Sequence, residues 1–168
     1  MDKIKDLMLT DEMNEIVQIG IVVEDMEKII ESMRNLFGLE PDATDDVCYK
    51  KTWYRGEIID APVRNAFYNY FNVQLEFLQP LGEQATTWKD YLTMGQYGLH
   101  HIRFDVTNTN RVTKMMEEKG VKIWMQGESI VTPGCIFTYY DTLDMLGFVI
   151  ETVTRVDHIG KDNFDYER

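Results

Sequence analysis

The stretch GLHHIRFDV, Gly98 to Val106, decides how this chain reads. Polar and apolar residues alternate through it, so a strand here puts His101, Arg103 and Asp105 on one face. Ile102, Phe104 and Val106 then lie on the other. By the same parity His100 points away from His101 and reads as a packing or interface residue. Three further strand-like runs each hold one polar side chain among apolar neighbours: Gln18 in IVQIGIVV, Glu76 in VQLEFLQP and Glu151 in GFVIETV. A carboxylate on the packed face of a sheet is costly unless a cation or hydrogen bonds satisfy it. His101, Gln18, Glu76 and Glu151 are therefore the residues around which the rest of the sequence is best organised.

Outward from that strand the pattern repeats. Ile16–Val23 is β-branched and strand-like. Asp25 is placed to cap a helix in which Met26, Ile29, Ile30, Met33 and Phe37 recur at helical spacing, and Gly38 ends it. Strands are expected over Val47–Tyr54, Val63–Phe71 and Val73–Leu78, with a tight turn at Asn72. A linker, Gly82–Tyr97, contains an amphipathic turn at Trp88–Leu92. The rhythm then restarts with a strand at Leu99–Val106 and a helix at Asn108–Lys119, stopped by Gly120. Strands follow at Val121–Met125, Cys135–Asp141 and Phe148–Val153. The order β-α-β-β-β thus occurs twice, which predicts an α+β fold. One domain over residues 14–154 would hold two βαβββ modules, about 14–81 and 98–154, between an N-terminal extension (1–13) and a polar tail (155–168). Each module contributes one polar residue from its first strand and one from its last. A pseudo-twofold packing would gather all four in one cavity.

The balance of 17 Lys and Arg against 29 Asp and Glu gives a net charge of −12. That argues against general affinity for nucleic acid or anionic membranes, since both need a basic face. A small anionic substrate remains compatible with it. Neither an apolar run long enough to span a bilayer nor a signal-like apolar N-terminal core occurs, so a cytoplasmic protein is expected. Its two cysteines, Cys48 and Cys135, are expected to be reduced.

The phrases QIGIVVEDMEK, LEFLQPLG, GLHHIRFDV and LGFVIETV resemble the four marker strands of the vicinal oxygen chelate superfamily. That group includes glyoxalase I, methylmalonyl-CoA epimerase, extradiol dioxygenases and bleomycin- and fosfomycin-resistance proteins. The resemblance implies paired βαβββ modules, each curving into a half-barrel of mixed sheet around a metal. It puts the metal ligands at Gln18, Glu76, His101 and Glu151. The family's usual first ligand is histidine; here it is Gln18. LEFLQPLG is most similar to the epimerase-like branch, while YYDTLDMLG is closer to a glyoxalase-like subgroup. In the epimerase branch an acidic residue upstream of the fourth-strand ligand shares the proton transfer with the last-strand glutamate. That position falls on Asp60, one methylene shorter than the family's glutamate.

One imidazole, one amide oxygen and two carboxylates suit Co²⁺, Ni²⁺, Mn²⁺, Zn²⁺ or Fe²⁺ with open positions for substrate oxygens. The resemblance implies a metal-dependent isomerase or lyase of glyoxalase or epimerase type. It would act on a small α-oxo or acyl-thioester compound through an enediolate, with Glu151 and Asp60 as candidate bases. Arg103 shares a face with His101 and can hold a substrate carboxylate or phosphate. Trp53, Tyr68, Tyr70, Tyr139 and Tyr140 are candidates to line the cavity. The alternative is a drug- or metabolite-binding protein of the same fold that performs no chemistry. An extradiol oxygenase needs two histidines on iron, and Gln18 argues against it. A homodimer is the family expectation.

Overall fold

The computed structural model of the chain describes residues 8–160. The sequence-derived extension and tail therefore lie partly outside the described residues, at 1–7 and 161–168. In chain order the elements are α1 (Leu9–Glu12), β1 (Ile16–Val22), α2 (Met26–Phe37), β2 (Ala43–Tyr54), β3 (Glu57–Tyr68), β4 (Gln74–Pro80) and α3 (Thr87–Thr93). Then come β5 (Gly98–Val106), α4 (Thr109–Glu118), β6 (Ile123–Glu128), β7 (Ile136–Tyr140), α5 (Leu143–Leu146) and β8 (Val149–Thr154), followed by a 3-10 turn at Val156–His158. The doubled β-α-β-β-β order is present.

Local chemistry sets the helix ends. Asp25 caps α2 by accepting from the Lys28 amide, and Gly38 takes the left-handed conformation that closes it. Asn108 caps α4 through the Arg111 amide, and Thr86 caps α3 through that of Lys89. The N-terminal α1 is tied to the body through Glu12. Its carboxylate accepts from the Thr107 amide and hydroxyl, both at 2.9 Å, and pairs with Arg111.

β2 and β3 are longer than the pattern suggests. Both begin with acidic, outward-facing residues, which read as loop. Cross-strand pairing holds these ends: Asp46 sits opposite Arg64 in the register and takes a hydrogen bond of 2.9 Å from its Nη2. The two strands turn at Arg55 and Gly56, both with positive φ.

The eight strands close into a barrel in the order β1-β4-β3-β2-β6-β7-β8-β5. Each module supplies four neighbouring strands, a curved half. The halves meet along β1 and β5 from Ile16 to Val22, and along a short seam where Trp53 faces Gln126 and Tyr54 faces Met125. Helix α2 covers one half through Met26 and Met33, which pack with Ala66, Tyr68 and Phe77. Helix α4 covers the other through Val112 and Met116, against Val106, Val121 and Tyr140. Trp88 and Tyr91 of α3 join the large cluster that includes Val22, Val63, Leu78, Trp124 and Tyr139.

Met26, the first residue of α2, is fully buried on its inner face. Met26→Ala is expected to lower unfolding free energy by about 2–5 kcal/mol, read from the urea midpoint, since the covering helix leaves a cavity there.

Candidate metal centre

The four polar residues come from four adjacent strands, β4, β1, β5 and β8. In the parallel pair β1/β4, Glu76 lies beside Gly20, two residues beyond Gln18. In the parallel pair β5/β8, Glu151 lies beside Arg103, two residues beyond His101. The offsets match, so the pseudo-symmetry read from the sequence is also one of register. Alternation turns all four inward, and all four are buried.

His101 Nε2 is the centre of the cluster. It lies 3.1 Å from Glu151 Oε2, 3.4 Å from Glu76 Oε2 and 3.3 Å from Gln18 Oε1. One ligand atom from each of Glu76, His101 and Glu151 falls within 4.8 Å of the others, a spacing that can hold a metal ion. Gly20 makes room for the imidazole: a Cβ there would stand 1.9 Å from His101 Cε1.

Gln18 is oriented by a chain of amides. Its Nε2 donates to Gln74 Oε1 (2.6 Å), and Gln74 Nε2 donates to Asn69 Oδ1 (2.7 Å). In this amide orientation the Gln18 oxygen faces inward, toward two carboxylate oxygens that are themselves acceptors. Turning the amide over would aim its nitrogen at Glu76 Oε2 (3.1 Å) and Glu151 Oε2 (3.3 Å), and Gln74 would have to turn with it. Nitrogen inward satisfies the carboxylates by hydrogen bonds; oxygen inward needs positive charge between them. The donor set thus fits a divalent cation, with one amide oxygen, one imidazole nitrogen and two carboxylates.

Electrostatics agree. Burial opposes charging His101, but attraction and hydrogen bonding from Glu151, then Glu76, outweigh it and lift its pKa to about 9. Burial likewise pushes the Glu76 carboxyl up, against the pull of His101. An imidazolium therefore fills the cationic role when no metal is bound, and a metal must displace its proton.

His100 departs from strand parity. The β1/β5 register shifts so that Gly20 faces His101 while Ile21 faces Leu99, leaving His100 as a bulge. Its ring therefore lies beside that of His101, with Nδ1 3.0 Å from Nδ1, rather than on the opposite face. Burial, and then the His101 charge, hold its pKa well below the ordinary range.

A cavity of about 230 Å³ opens on the cluster. Among its lining residues are Gln18, Tyr49, Glu76, Arg103, Tyr139 and Glu151. Arg103 is thus inside, as the sequence suggested, with its Nε and Nη2 held by Asp105 Oδ1 at 2.9 and 2.8 Å. Asp60 is not brought to the site. It alternates with the buried Ile59 and Ala61, so it faces outward, exposed and paired with Lys50 at 2.7 Å. Of the aromatic candidates Tyr139 lines this cavity. Tyr68 and Tyr140 belong to the helix-covered clusters, Tyr70 is exposed, and Trp53 lines a larger cleft of about 670 Å³ at the β2–β6 seam that holds none of the four donors. Tyr49, Trp88 and Phe137 are also in the wall; nothing in their local sequence marks them. Cys48 and Cys135 are free thiols.

Residues 17–139 match the family model described as Glyoxalase/Bleomycin resistance protein/Dioxygenase superfamily. The chain belongs to this superfamily. Solved structures share the superfamily fold. A Streptomyces coelicolor methylmalonyl-CoA epimerase variant in complex with 2-nitronate-propionyl-CoA is similar at TM-score 0.60 and 20% identity, over 84% of this chain and 94% of that one. Methylmalonyl-CoA epimerase from Mycobacterium tuberculosis gives 0.61 and 15%, over 89% and 93%. A hypothetical protein from Bacillus halodurans C-125 gives 0.63 and 17%, over 92% and 98%. At these identities the likeness is one of fold. No curated protein sequence matches the chain. The four polar residues of the cluster stand on the first and last strands of each module. Among the described residues no helix is long and apolar enough to cross a membrane.

Two outcomes follow from this geometry. Gly20→Ala must displace the His101 ring, and is expected to weaken divalent metal binding by about 10–100-fold in a Co²⁺ titration. The raised His101 pKa stabilises the metal-free fold fully below pH 6.5, and this contribution is lost as pH rises through about 9. In chelator-treated protein, His101→Gln should therefore cost most stability at the acid end of that window, with the gap in urea midpoints narrowing toward the alkaline end.

Proposed function

We propose that the chain is a metal-dependent isomerase or lyase of glyoxalase or epimerase type, acting on a small α-oxo or acyl-thioester substrate. The observation that carries this reading is the convergence of Glu76, His101 Nε2 and Glu151, with the Gln18 amide beside them, on one buried point that opens into a cavity. A closed, cysteine-rich structural site would have neither the hard oxygen donors nor the opening.

Gln18, Glu76, His101 and Glu151 would hold Co²⁺, Ni²⁺, Mn²⁺, Zn²⁺ or Fe²⁺. Such an ion supplies Lewis acidity that polarises a substrate carbonyl and acidifies the adjacent C–H. The chain does the rest. Glu151 is the base that removes the proton from the carbon next to the carbonyl and returns it, to the other face or to the neighbouring carbon. Arg103 has Nη1 to spare beyond its bonds to Asp105 and binds an anionic group of the substrate. Tyr139 stays a neutral phenol, because burial and then Glu151 and Glu76 push its pKa up; it can donate to a developing oxyanion. Tyr49, Trp88 and Phe137 give the cavity an apolar wall that limits water.

A second reading, ligand sequestration without chemistry, is favoured by one observation. Asp60 faces solvent on β3, so the proton-transfer pair of the epimerase branch is incomplete and Glu151 must act alone.

The two readings part in one experiment. Protein purified without chelator should carry about one divalent ion per chain, which His101→Ala removes. The loaded protein should exchange the α-proton of acyl-thioester or α-oxo probes with deuterated solvent, and Glu151→Gln should slow exchange by about 10²-fold or more. Metal without exchange on any probe would favour sequestration. A chain that stays metal-free with Co²⁺, Ni²⁺ and Mn²⁺ would rule out the enzymatic reading.

A further inference from the structure

The histidine behind the cluster has a defined place in a buried relay. His101 Nδ1 lies 3.0 Å from His100 Nδ1, and His100 Nε2 lies 3.1 Å from Thr87 Oγ1. His100, His101 and Thr87 have no solvent exposure, so water cannot replace any partner in this line. Thr87 opens α3, whose N-terminus is fixed by the Thr86 cap.

Two ring nitrogens at hydrogen-bond distance share one proton: one donates and the other accepts. If His100 Nδ1–H donates, a neutral His101 carries its proton on Nε2. That proton then occupies the point facing Gln18, Glu76 and Glu151, and no lone pair is left for a metal. If His101 Nδ1–H donates, its Nε2 lone pair faces the cluster. His100 must then carry its own proton on Nε2, where Thr87 receives it. The Thr87 hydroxyl at 3.1 Å can accept that proton. With a cation on His101 Nε2 the second arrangement satisfies every group, because the lone pair that otherwise faces the Glu76 and Glu151 oxygens is then used. It also leaves the His100 tautomer unchanged when His101 is an imidazolium, since both of its nitrogens then donate.

We propose that His100 is a positioning residue which, with Thr87, holds His101 in the tautomer whose Nε2 lone pair faces the metal site. The consequence for metal affinity rests on the function proposed above; the tautomer is a property of the chain alone. The bulge at His100 acquires a reason, because only a break in strand alternation sets two successive imidazoles side by side.

The test combines NMR with metal titration on the full chain. In long-range ¹H–¹⁵N spectra of metal-free and zinc-loaded wild type, His100 should be protonated at Nε2 and bare at Nδ1. A proton on His100 Nδ1 would overturn the proposal, whether or not metal binds. His100→Leu fills similar volume without an acceptor, and should weaken Co²⁺ binding by about 10–100-fold. His100→Asn places an amide oxygen near the former Nδ1 and should recover most of that loss. Thr87→Val should give a smaller loss, and it carries the same test if His100→Leu fails to fold. Wild-type affinity in a folded His100→Leu, or no advantage of Asn over Leu, would also overturn it. Failure of the wild type to bind any metal would instead strike the proposed function, with the NMR tautomer still deciding this point.

Discussion

Two carboxylates are buried a few ångströms from one imidazole, and most of the architecture around them can be understood as meeting that constraint. Glu76 and Glu151 repel each other in a setting that water does not screen well. A positive charge between them relieves this repulsion, from the His101 imidazolium or from a metal that takes its proton's place. Everything nearby is arranged to keep that point fixed. Gly20 vacates the space the ring occupies, and the amides of Gln18 and Gln74 line up to Asn69.

The barrel gives the cluster its precision. Four neighbouring strands each contribute one inward side chain, and β-sheet register fixes their relative heights without help from loops. Helices α2 and α4 pack outside, α3 sits behind the histidines, and the cavity takes the remaining side. The two modules are joined at length along β1 and β5, which carry Gln18 and His101, and only briefly at the β2–β6 seam. The long seam therefore fixes the distance between one module's donors and the other's.

Membership of the superfamily fits this geometry while leaving the chain its own features. A glutamine stands at the first ligand position, and the acidic residue of β3 points to solvent. Under the proposed function both changes shift weight to Glu151. The first trades an imidazole for a weaker amide donor held by a hydrogen-bond chain. In the proposed function the second leaves Glu151, the carboxylate nearest His101, as the base inside the cavity.

Much of this was legible in the linear sequence. Period-two alternation interrupted by single polar residues marked Gln18, Glu76, His101 and Glu151, because a strand's geometry forces alternate residues to one face. Helix caps at Asp25 and Asn108 were equally plain, since capping is local chemistry. The doubled order of elements implied the pairing of modules. What the sequence could not show was decided by contacts between distant segments. Asp60 sits next to Ile59 and Ala61, yet which face of β3 is inside depends on how the sheet closes. The acidic ends of β2 and β3 read as loop until cross-strand pairing gave them partners. His100 followed parity on paper, but a bulge exists only where two paired strands differ in the number of residues, and here the partner is the distant β1, with Gly20 facing His101 and Ile21 facing Leu99. The residue types at the centre were written in the chain, while their orientation, tautomer and company were set by the barrel's closure.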